Sequence, residues 1–406
     1  MYINRHIEKA VTKRAAQKGA VIVTGARQIG KTTLLKAMFP DMRAVSFEDK
    51  AMLMFAKEDG TNFFKLHPPP LFIDEVQYAP EIFSYIKLNL DNSQQKGQFY
   101  LTGSQSFQLM KNVTQSLAGR IGIINMLGLS YREIKNEPYD KPFMPFFDDL
   151  AERGEIRKEI DIRELWHIIW RGAMPELVAN PQIDWDNFYS DYLNTYLERD
   201  VRDLTQVGDL LQFVKFMTVC AAMTGNLLNI ASIARDVEIS EPTAKRWLSV
   251  LQASGVVYLL APYYNNTIKR AVKTPKIYFL DTGLAAYLTK WNSAEALMSG
   301  AMSGSYFETF VVAEILKSYY NAGKEPSMCF FRDTNGVEID LLFFENGTLY
   351  PVEIKQTSEP KLKMIKSFDI IDALPAVKRG SGGVICLSDT LLPLGENDKI
   401  IPIWAI

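Results

Sequence analysis

The sequence has 406 residues, of which 47% are apolar and 23% charged, with a net charge of −2 and a pI of about 6.1. This length and composition predict two or three folded domains, and the near-neutral charge excludes a bulk polycation, so any contact with nucleic acid must come from a local basic patch. Three widely spaced cysteines, no secretory h-region and no run of 18 apolar residues exclude a disulfide framework, a signal peptide and a transmembrane helix, so we expect a cytoplasmic protein.

The first predicted elements are a lead-in helix, a β-branched strand, a glycine-rich loop and a second helix. Residues 25–32 read G-A-R-Q-I-G-K-T, which is the pattern G-x-x-x-x-G-K-[ST] in the strand–loop–helix context that it requires. The loop amides form a nest for anions, and the helix N-terminus adds partial positive charge. We expect Lys31 to reach the β- and γ-phosphates of a nucleotide and the Thr32 hydroxyl to ligate Mg²⁺. The predicted phosphate site consists of Gly25, Ala26, Arg27, Gln28, Ile29, Gly30, Lys31, Thr32 and Thr33.

The apolar strand predicted over 71–75 ends in two carboxylates, which is a Walker B pattern. We expect this strand to lie next to the P-loop strand, so that its end reaches the metal beside Thr32. Asp74 would then hold Mg²⁺, directly or through water, and Glu75 would polarise the attacking water. The alternative is a strand that simply stops at charged residues.

Two further candidates follow in the next predicted strands. The strand over 98–104 ends in hydroxyl groups where a parallel sheet would otherwise stay apolar. Ser104, or else Thr102, can act as a sensor that contacts the γ-phosphate or the attacking water; the alternative is a strand-end turn. Arg120 precedes an apolar strand over 121–127. It is either an arginine finger for a neighbour's nucleotide, which requires a homo-oligomer, or an intramolecular charge partner.

Five stretches together resemble a prokaryotic group of AAA-type ATPases that carry a C-terminal domain of unknown function. The resemblance implies ATP rather than GTP, and no N-K-x-D guanine-specificity element argues against this. It extends over the whole chain, and residues 275–284 look like the signature stretch of the C-terminal domain. The five stretches are 25–32, 72–77, 101–104, 116–120 and 129–133.

The middle of the chain is predicted to be helical. Between 136 and 222, apolar residues three and four apart indicate helices that form a lid over the nucleotide and a bridge to the next module. Residues 229–260 then predict a helix-turn-helix followed by a wing strand.

The second helix of this unit would present Thr243, Lys245 and Arg246 to a DNA groove. The alternative is a winged helix used only for packing or protein contacts. A basic segment over 269–276 is predicted to contact phosphates, through Lys269, Arg270, Lys273 and Lys276.

The last third predicts the order α-β-β-β-α-β. Glu353 and Lys355 share one face of a strand, and Asp340 on the neighbouring strand and Glu308 on the helix can converge there. This is the constellation of a PD-(D/E)xK nuclease-like fold, in which the three carboxylates would bind Mg²⁺ and Lys355 would orient the nucleophile. Glu338 shares the face of Asp340 and could replace it as a ligand. The fold can also persist with a silent site.

The predicted fold class is therefore α/β. A P-loop NTPase parallel sheet (1–135) is followed by a helical lid and bridge (136–222), a winged helix-turn-helix (223–290) and an α/β restriction-endonuclease-like domain (291–406).

The predicted function is an ATP-hydrolysing switch that couples nucleotide state to a module that binds DNA and cleaves it. One alternative is an ATP-dependent DNA-binding or regulatory protein with a silent nuclease fold, and another is a partner-binding ATPase without nucleic acid. For Asp281 the sequence offers only a turn-capping role.

Overall fold

The computed structural model describes residues 2–93, 95–104, 113, 116–138, 141–156, 159–197, 201, 210–263, 273–372, 374 and 377–406, without the side chain of Ser104. Strands of these residues form three sheets. One cluster of buried apolar side chains runs from the first sheet through the middle helices to the last sheet. None of the described helices combines the length and the apolar character needed to cross a membrane.

The first sheet is parallel, with the strand order β2-β3-β4-β1-β5. Val21 and Val23 of its buried strand β1 pack into one core and Ile22 into another, because successive side chains of a strand point to opposite faces. The strands are β1 (Ala20–Gly25), β2 (Arg43–Ser46), β3 (Leu71–Asp74), β4 (Phe99–Ser104) and β5 (Ile121–Asn125). The helices are Glu8–Gln17, Lys31–Met38, Lys50–Glu58, Gly60–Leu66 and Ile82–Ser93, with a 3-10 turn at Val76–Tyr78.

The order of these strands corrects one expectation. Strand β4 lies between β1 and β3, so the prediction that the Walker B strand is the direct neighbour of the P-loop strand is wrong. All five strands are parallel, however, so their carboxyl ends still meet at one edge of the sheet. The ends of β1, β3 and β4 therefore lie close enough for their side chains to contact one another.

The described part of 136–222 contains helices and no strand. The helix Ile162–Arg171 buries Leu165, Trp166 and Ile169, whose spacing of three and four residues places them on one face. The helices from Tyr131 to the start of the second sheet are Tyr131–Ile134, Phe147–Ile156, Ile162–Arg171, Pro175–Ala179, Trp185–Tyr196 and Leu210–Ala222.

The second sheet is antiparallel, in the order β6-β8-β7. It packs with two helices whose turn is closed by Ser240, because the Ser240 hydroxyl accepts a hydrogen bond from the backbone N–H of Thr243. The strands are β6 (Asn226–Leu227), β7 (Val257–Leu260) and β8 (Lys276–Phe279). The helices are Ile230–Val237 and Glu241–Ala253, and Thr282–Leu288 and Ala294–Ser299 follow β8.

The third sheet is mixed, in the order β14-β15-β13-β11-β10-β9, and β12 also pairs with β11. Strands β9, β10 and β11 are antiparallel neighbours, whereas β11, β13 and β15 are parallel. The strands are β9 (Met328–Arg332), β10 (Glu338–Glu345), β11 (Thr348–Ile354), β12 (Lys378–Arg379), β13 (Gly382–Cys386), β14 (Leu392–Leu394) and β15 (Asp398–Pro402). The long helix Ser303–Asn321 precedes them, and a 3-10 turn, Ile403–Ala405, follows.

The second helix of the predicted order α-β-β-β-α-β falls on residues 362–374, and the structure differs there. A 3-10 helix, Leu362–Phe368, runs into the short α-helix Asp369–Asp372. The buried side chains Ile365, Phe368 and Ile371 are three residues apart, which matches the three-residue turn of a 3-10 helix rather than the α-helical period.

Candidate functional site

The P-loop adopts a conformation that only glycine allows at two positions. Gly30 has a φ of 90° and directly precedes the helix, a backbone conformation that residues with a Cβ rarely adopt. A Cβ on Gly25 would lie 2.2 Å from the carbonyl oxygen of Met126. Lys31 is buried, and its ammonium donates to the carbonyl oxygens of Gly25 and Ala26 at 3.0 and 2.6 Å. The lysine charge therefore lies inside the loop, at the N-terminus of the helix.

Asp74, at the end of β3, contacts the P-loop helix and the intervening strand. Its Oδ1 accepts a hydrogen bond from Thr32 Oγ1 at 2.7 Å and another from the hydroxyl of Thr102. Thr102 is fully buried on β4, and its Oγ1 also accepts from the backbone N–H of Glu75 at 3.4 Å. Thr32 and Asp74 thus present two adjacent oxygen ligands, the kind that Mg²⁺ prefers, so these residues fit the metal that the P-loop implies.

Glu75 has an unusual backbone conformation. Its φ of 55° and ψ of 47° place it in the left-handed region, which costs energy for a residue with a side chain and is often found at functional sites. The side-chain amide of Gln77 donates a hydrogen bond to Glu75 Oε2. The Glu75 side chain also lines the cavity beside the P-loop. The carboxylate is therefore held by a neighbouring amide at the wall of this cavity.

An open cavity of about 490 Å³ separates the P-loop from the middle helices. Its size is within the range of about 300–1,000 Å³ that small-molecule pockets show. The P-loop side is formed by Arg27, Gln28, Gly30, Lys31, Thr32 and Thr33, with Glu75 beside them. The opposite side is formed by Pro175, Glu176, Ala179 and Thr195, which belong to two helices of the predicted lid.

Of the two remaining candidates of the first domain, Arg120 does not line this cavity. The side chain of Ser104 lies outside the described residues. Arg120 precedes β5, and its carbonyl oxygen accepts from the N–H of Ala20, at the opposite end of β1 from the P-loop and about 17 Å away along that strand. Its guanidinium lies 2.5 Å from the Asp91 carboxylate, and the two side chains are 38% and 41% exposed. The intramolecular pair is thus present, and a role in trans stays a prediction.

The C-terminal candidates lie together. Lys355 Nζ is 2.7 Å from both Asp340 Oδ2 and Glu353 Oε2. Asp340 also accepts from the backbone N–H of Ile354 at 2.8 Å, and Glu353 accepts from the Ser367 hydroxyl at 2.8 Å. The antiparallel register of β10 and β11 places the two carboxylates side by side.

A lysine from the second sheet lies among these carboxylates. Lys276, the first residue of β8, is 2% exposed. Its Nζ lies 2.9 Å from Glu308 Oε1, 2.5 Å from Glu338 Oε1 and 3.7 Å from Asp340 Oδ1. The hydroxyl of Tyr278 donates to Glu308 Oε1 at 2.6 Å. We call these residues (Lys276, Glu308, Glu338, Asp340, Glu353 and Lys355) the carboxylate cluster.

The position of Lys276 corrects the predicted basic patch. A buried ammonium that is paired with carboxylates cannot contact a phosphate, so the inclusion of Lys276 in that patch is wrong. The sequence carries the signal for this, since the lysine precedes the apolar run I-Y-F-L in a strand. Lys273 is exposed, and Lys269 and Arg270 lie outside the described residues.

Burial and neighbouring charges shift the pKa values of the cluster in opposite directions. Burial, followed by the nearby Asp340 carboxylate, raises the pKa of Glu353 and of Glu308. Burial alone would also raise the pKa of Asp340, but Lys355 and Lys276 outweigh it and the pKa lies below its usual range. Within the described residues, no group of three or more His, Cys, Asp or Glu side chains is arranged to hold a metal ion. Magnesium binding by Glu308, Asp340 and Glu353 stays a prediction.

The predicted DNA-facing helix Glu241–Ala253 has one buried face and one exposed face. Trp247 packs against Phe213 and Phe216 with ring centroids 5.2 and 5.6 Å away. Lys245 and Arg246 are exposed. The helix therefore presents both cationic side chains to solvent.

Three family models match successive parts of the chain. An AAA domain matches residues 17–135, a domain of unknown function (DUF8612) matches residues 162–295, and another (DUF4143) matches residues 303–406. The stretch 275–284 therefore belongs to the middle model rather than to the C-terminal one, which corrects its placement.

Two uncharacterized proteins are similar to this chain over most of its length. An uncharacterized protein of Mycobacterium tuberculosis is 27% identical over 383 residues, which is 92% of this chain and 78% of that protein. An uncharacterized protein of Methanocaldococcus jannaschii is 23% identical over 389 residues, or 90% of this chain and 81% of that protein. Among solved structures, a Walker-type ATPase of Pyrococcus abyssi is similar with a TM-score of 0.43 and 15% identity, over 71% of this chain and 96% of that one. The match to the family model shows that residues 17–135 are an AAA-type domain.

Proposed function

We propose that this protein binds Mg²⁺-ATP at the P-loop and hydrolyses it. The observation that carries the proposal is the contact of Thr32 with Asp74 at the mouth of a loop that already holds the Lys31 ammonium. The AAA domain matched over 17–135 supports it. The size of the cavity and the position of Glu75 at its wall provide room for a nucleotide and a group that can act on water.

Each residue has a distinct role in this proposal. Lys31 exchanges its hydrogen bonds to the carbonyl oxygens of Gly25 and Ala26 for contacts with the β- and γ-phosphates. The loop amides bind the remaining phosphate oxygens. Mg²⁺, when bound, supplies charge neutralisation at the phosphates, and Thr32 and Asp74 hold it. Thr102 fixes the Asp74 carboxylate through its buried hydroxyl. Glu75 polarises the attacking water.

A Lys31→Ala variant tests the proposal. Removal of one preorganised hydrogen-bond donor at a developing negative charge costs about 10²–10³-fold in rate, and Lys31 would be such a donor, so we expect phosphate release to fall at least ~100-fold. The matched control is Lys36→Ala, because Lys36 is exposed on the same helix and should retain wild-type hydrolysis. Hydrolysis at the wild-type rate by the Lys31 variant would overturn the proposal.

We further propose that the output of this ATPase is an interaction with DNA that ends in strand cleavage. The juxtaposition of Asp340, Glu353 and Lys355 favours this output, since paired carboxylates and a lysine are the groups that metal-dependent phosphodiester cleavage uses. The exposed cations of the helix Glu241–Ala253 provide a surface for the phosphate backbone. The alternative is an ATPase whose carboxylate cluster serves only to hold the C-terminal sheet to its neighbours.

Plasmid cleavage in Mg²⁺ or Mn²⁺ separates these two outputs. We expect cleavage by the wild-type chain and its loss in a variant with Asp340→Ala and Lys355→Ala, because both the carboxylate and the lysine next to it are then missing. Glu345→Ala is the control, since Glu345 is exposed at the end of the same strand, β10. Cleavage that persists in the double variant would remove the nuclease proposal.

Binding to duplex DNA as a function of salt tests the DNA contact separately. We expect the log–log salt slope to fall by about 2 when Lys245 and Arg246 are both replaced by Ala, since each phosphate contact contributes about 0.9. The control replaces Lys57 and Lys65, which are exposed on helices of the first domain. If the wild-type chain shows no salt-dependent binding with or without ATP, the protein is a partner-binding ATPase instead.

A further inference from the structure

Asp281 connects three segments that are far apart in the sequence. Its Oδ2 accepts from the backbone N–H of Ala173 at 2.8 Å, and its Oδ1 accepts from the Tyr189 hydroxyl at 2.6 Å and from the N–H of Leu284 at 2.8 Å. The packing is tight, because a Cβ on Gly172 would lie 2.2 Å from the Tyr189 hydroxyl oxygen. The carboxylate is thus more than a cap for the helix that follows it.

The contact with Ala173 brings Asp281 next to the nucleotide cavity. Ala173 lies two residues before the short helix Pro175–Ala179, whose side chains form part of the cavity wall opposite the P-loop. Asp281 and the P-loop residue Ile29 also line the same small cavity. Asp281 therefore contacts the segment that leads into this wall and lies beside the P-loop.

The strand that ends just before Asp281 begins with Lys276. Strand β8 is the central strand of the second sheet and is hydrogen-bonded to a neighbour on each side. Its backbone is also fixed by Thr224, whose hydroxyl accepts from the N–H of Phe279 at 3.1 Å. Five residues of extended chain span about 17 Å, so a short, well-supported strand joins the wall of the nucleotide cavity to the carboxylate cluster.

We propose that strand β8 couples the nucleotide cavity to the carboxylate cluster, with Asp281 and Lys276 as its two contacts. In one arrangement Lys276 is seated between Glu308 and Glu338 and neutralises them. In the other, a nucleotide that moves the wall at Pro175–Ala179 pulls β8 through Asp281 and unseats the lysine, which releases the carboxylates. This inference rests on the proposed binding of ATP at the P-loop.

Coupling between two sites is reciprocal, so a change at the carboxylate cluster must also change the affinity of the P-loop for nucleotide. The coupling can therefore be measured by nucleotide binding alone. We expect Lys276→Met to weaken the binding of a fluorescent ATP analogue, with Mg²⁺, by about 5-fold or more, although the substitution is at the far end of β8. Asp281→Asn should weaken binding similarly. The double variant should lose less than the product of the two effects, because both substitutions break the same connection.

Two controls separate coupling from general damage to the fold. Arg379→Met removes a largely buried ion pair with Asp398 from the same C-terminal sheet and should leave the affinity unchanged, whereas Lys276→Arg should restore it. If Lys276→Met does not fold, Glu338→Gln removes one partner of the lysine and provides the same readout. Wild-type affinity in whichever of these two variants folds would overturn the coupling, whereas failure of the wild-type chain to bind the analogue would overturn the proposed ATP site instead.

Discussion

A Glu75→Gln variant is expected to bind ATP about as tightly as the wild-type chain and to hydrolyse it at least ~100-fold more slowly. The amide keeps the shape of the side chain and its place at the cavity wall, but it carries no charge with which to polarise water. General-base assistance contributes about 10²–10⁴-fold in rate. The measurement pairs the dissociation constant of a fluorescent ATP analogue with steady-state phosphate release.

The matched control for this variant is Glu81→Gln, because Glu81 is an exposed carboxylate shortly after the Walker B strand. It should leave both binding and hydrolysis unchanged. If Glu75→Gln still hydrolyses ATP within a few-fold of the wild-type rate, the group that activates water is another residue. Weak binding by the same variant would instead mean that Glu75 holds the nucleotide or its metal.

The elements of the AAA domain could be predicted because their signals are local. The β-branched run at the start of β1, the glycines of the loop and the apolar strand that ends in Asp74 each determine a conformation within a few residues. The proximity of Thr32 to Asp74 is predicted from the two strands being direct neighbours, and that premise is wrong because β4 lies between them. The contact still forms, since the strands of a parallel sheet all end at one edge.

The order of the strands and the burial of Lys276 both depend on contacts between residues that are remote in sequence. No local pattern places β4 between β1 and β3, so the contact of Thr102 with Asp74 could not be derived, and Thr102 ranked below Ser104 as a candidate. The cations that surround Lys276 in the sequence predict a solvent-exposed side chain at this position. Its partners lie 32 and 62 residues further on, at Glu308 and Glu338. They meet the lysine because β8 packs against the long helix Ser303–Asn321, which carries Glu308, and against the third sheet, which carries Glu338.

A buried ion pair between Arg5 and Glu133 contacts the backbone of the P-loop. The guanidinium of Arg5 lies 3.1 Å from Glu133 Oε1 and donates to the carbonyl oxygens of Ile29 and Leu127 at 2.9 and 2.8 Å. Both charged side chains are at most 3% exposed. Burial alone would raise the pKa of Glu133, but Arg5 and backbone N–H donors such as that of Ser130 outweigh it and the pKa lies below its usual value.

Because its folded pKa is depressed, Glu133 contributes stability above its unfolded pKa and loses that contribution as the pH falls through the folded pKa. Arg5→Met removes the main counter-charge and leaves a buried carboxylate without compensation. We expect the free energy of unfolding to fall by about 3–5 kcal/mol at pH 7.5, the usual cost of breaking a buried pair from one side. The exposed pair provides a control, since Arg120→Met should cost less than about 1 kcal/mol.

The pH dependence distinguishes a charge effect from lost packing. Without Arg5, burial dominates and the pKa of Glu133 rises, so the carboxyl takes up a proton as the pH falls and the destabilisation should be smaller at pH 5.5 than at pH 7.5. Adding Glu133→Gln to the Arg5 variant should recover part of the stability at pH 7.5, because the amide oxygen can still accept from the N–H of His6. Urea unfolding of the three proteins at both pH values measures this. Equal losses at the two pH values, with no recovery in the double variant, would show that Arg5 stabilises the P-loop through its contacts with Ile29 and Leu127 rather than through its charge.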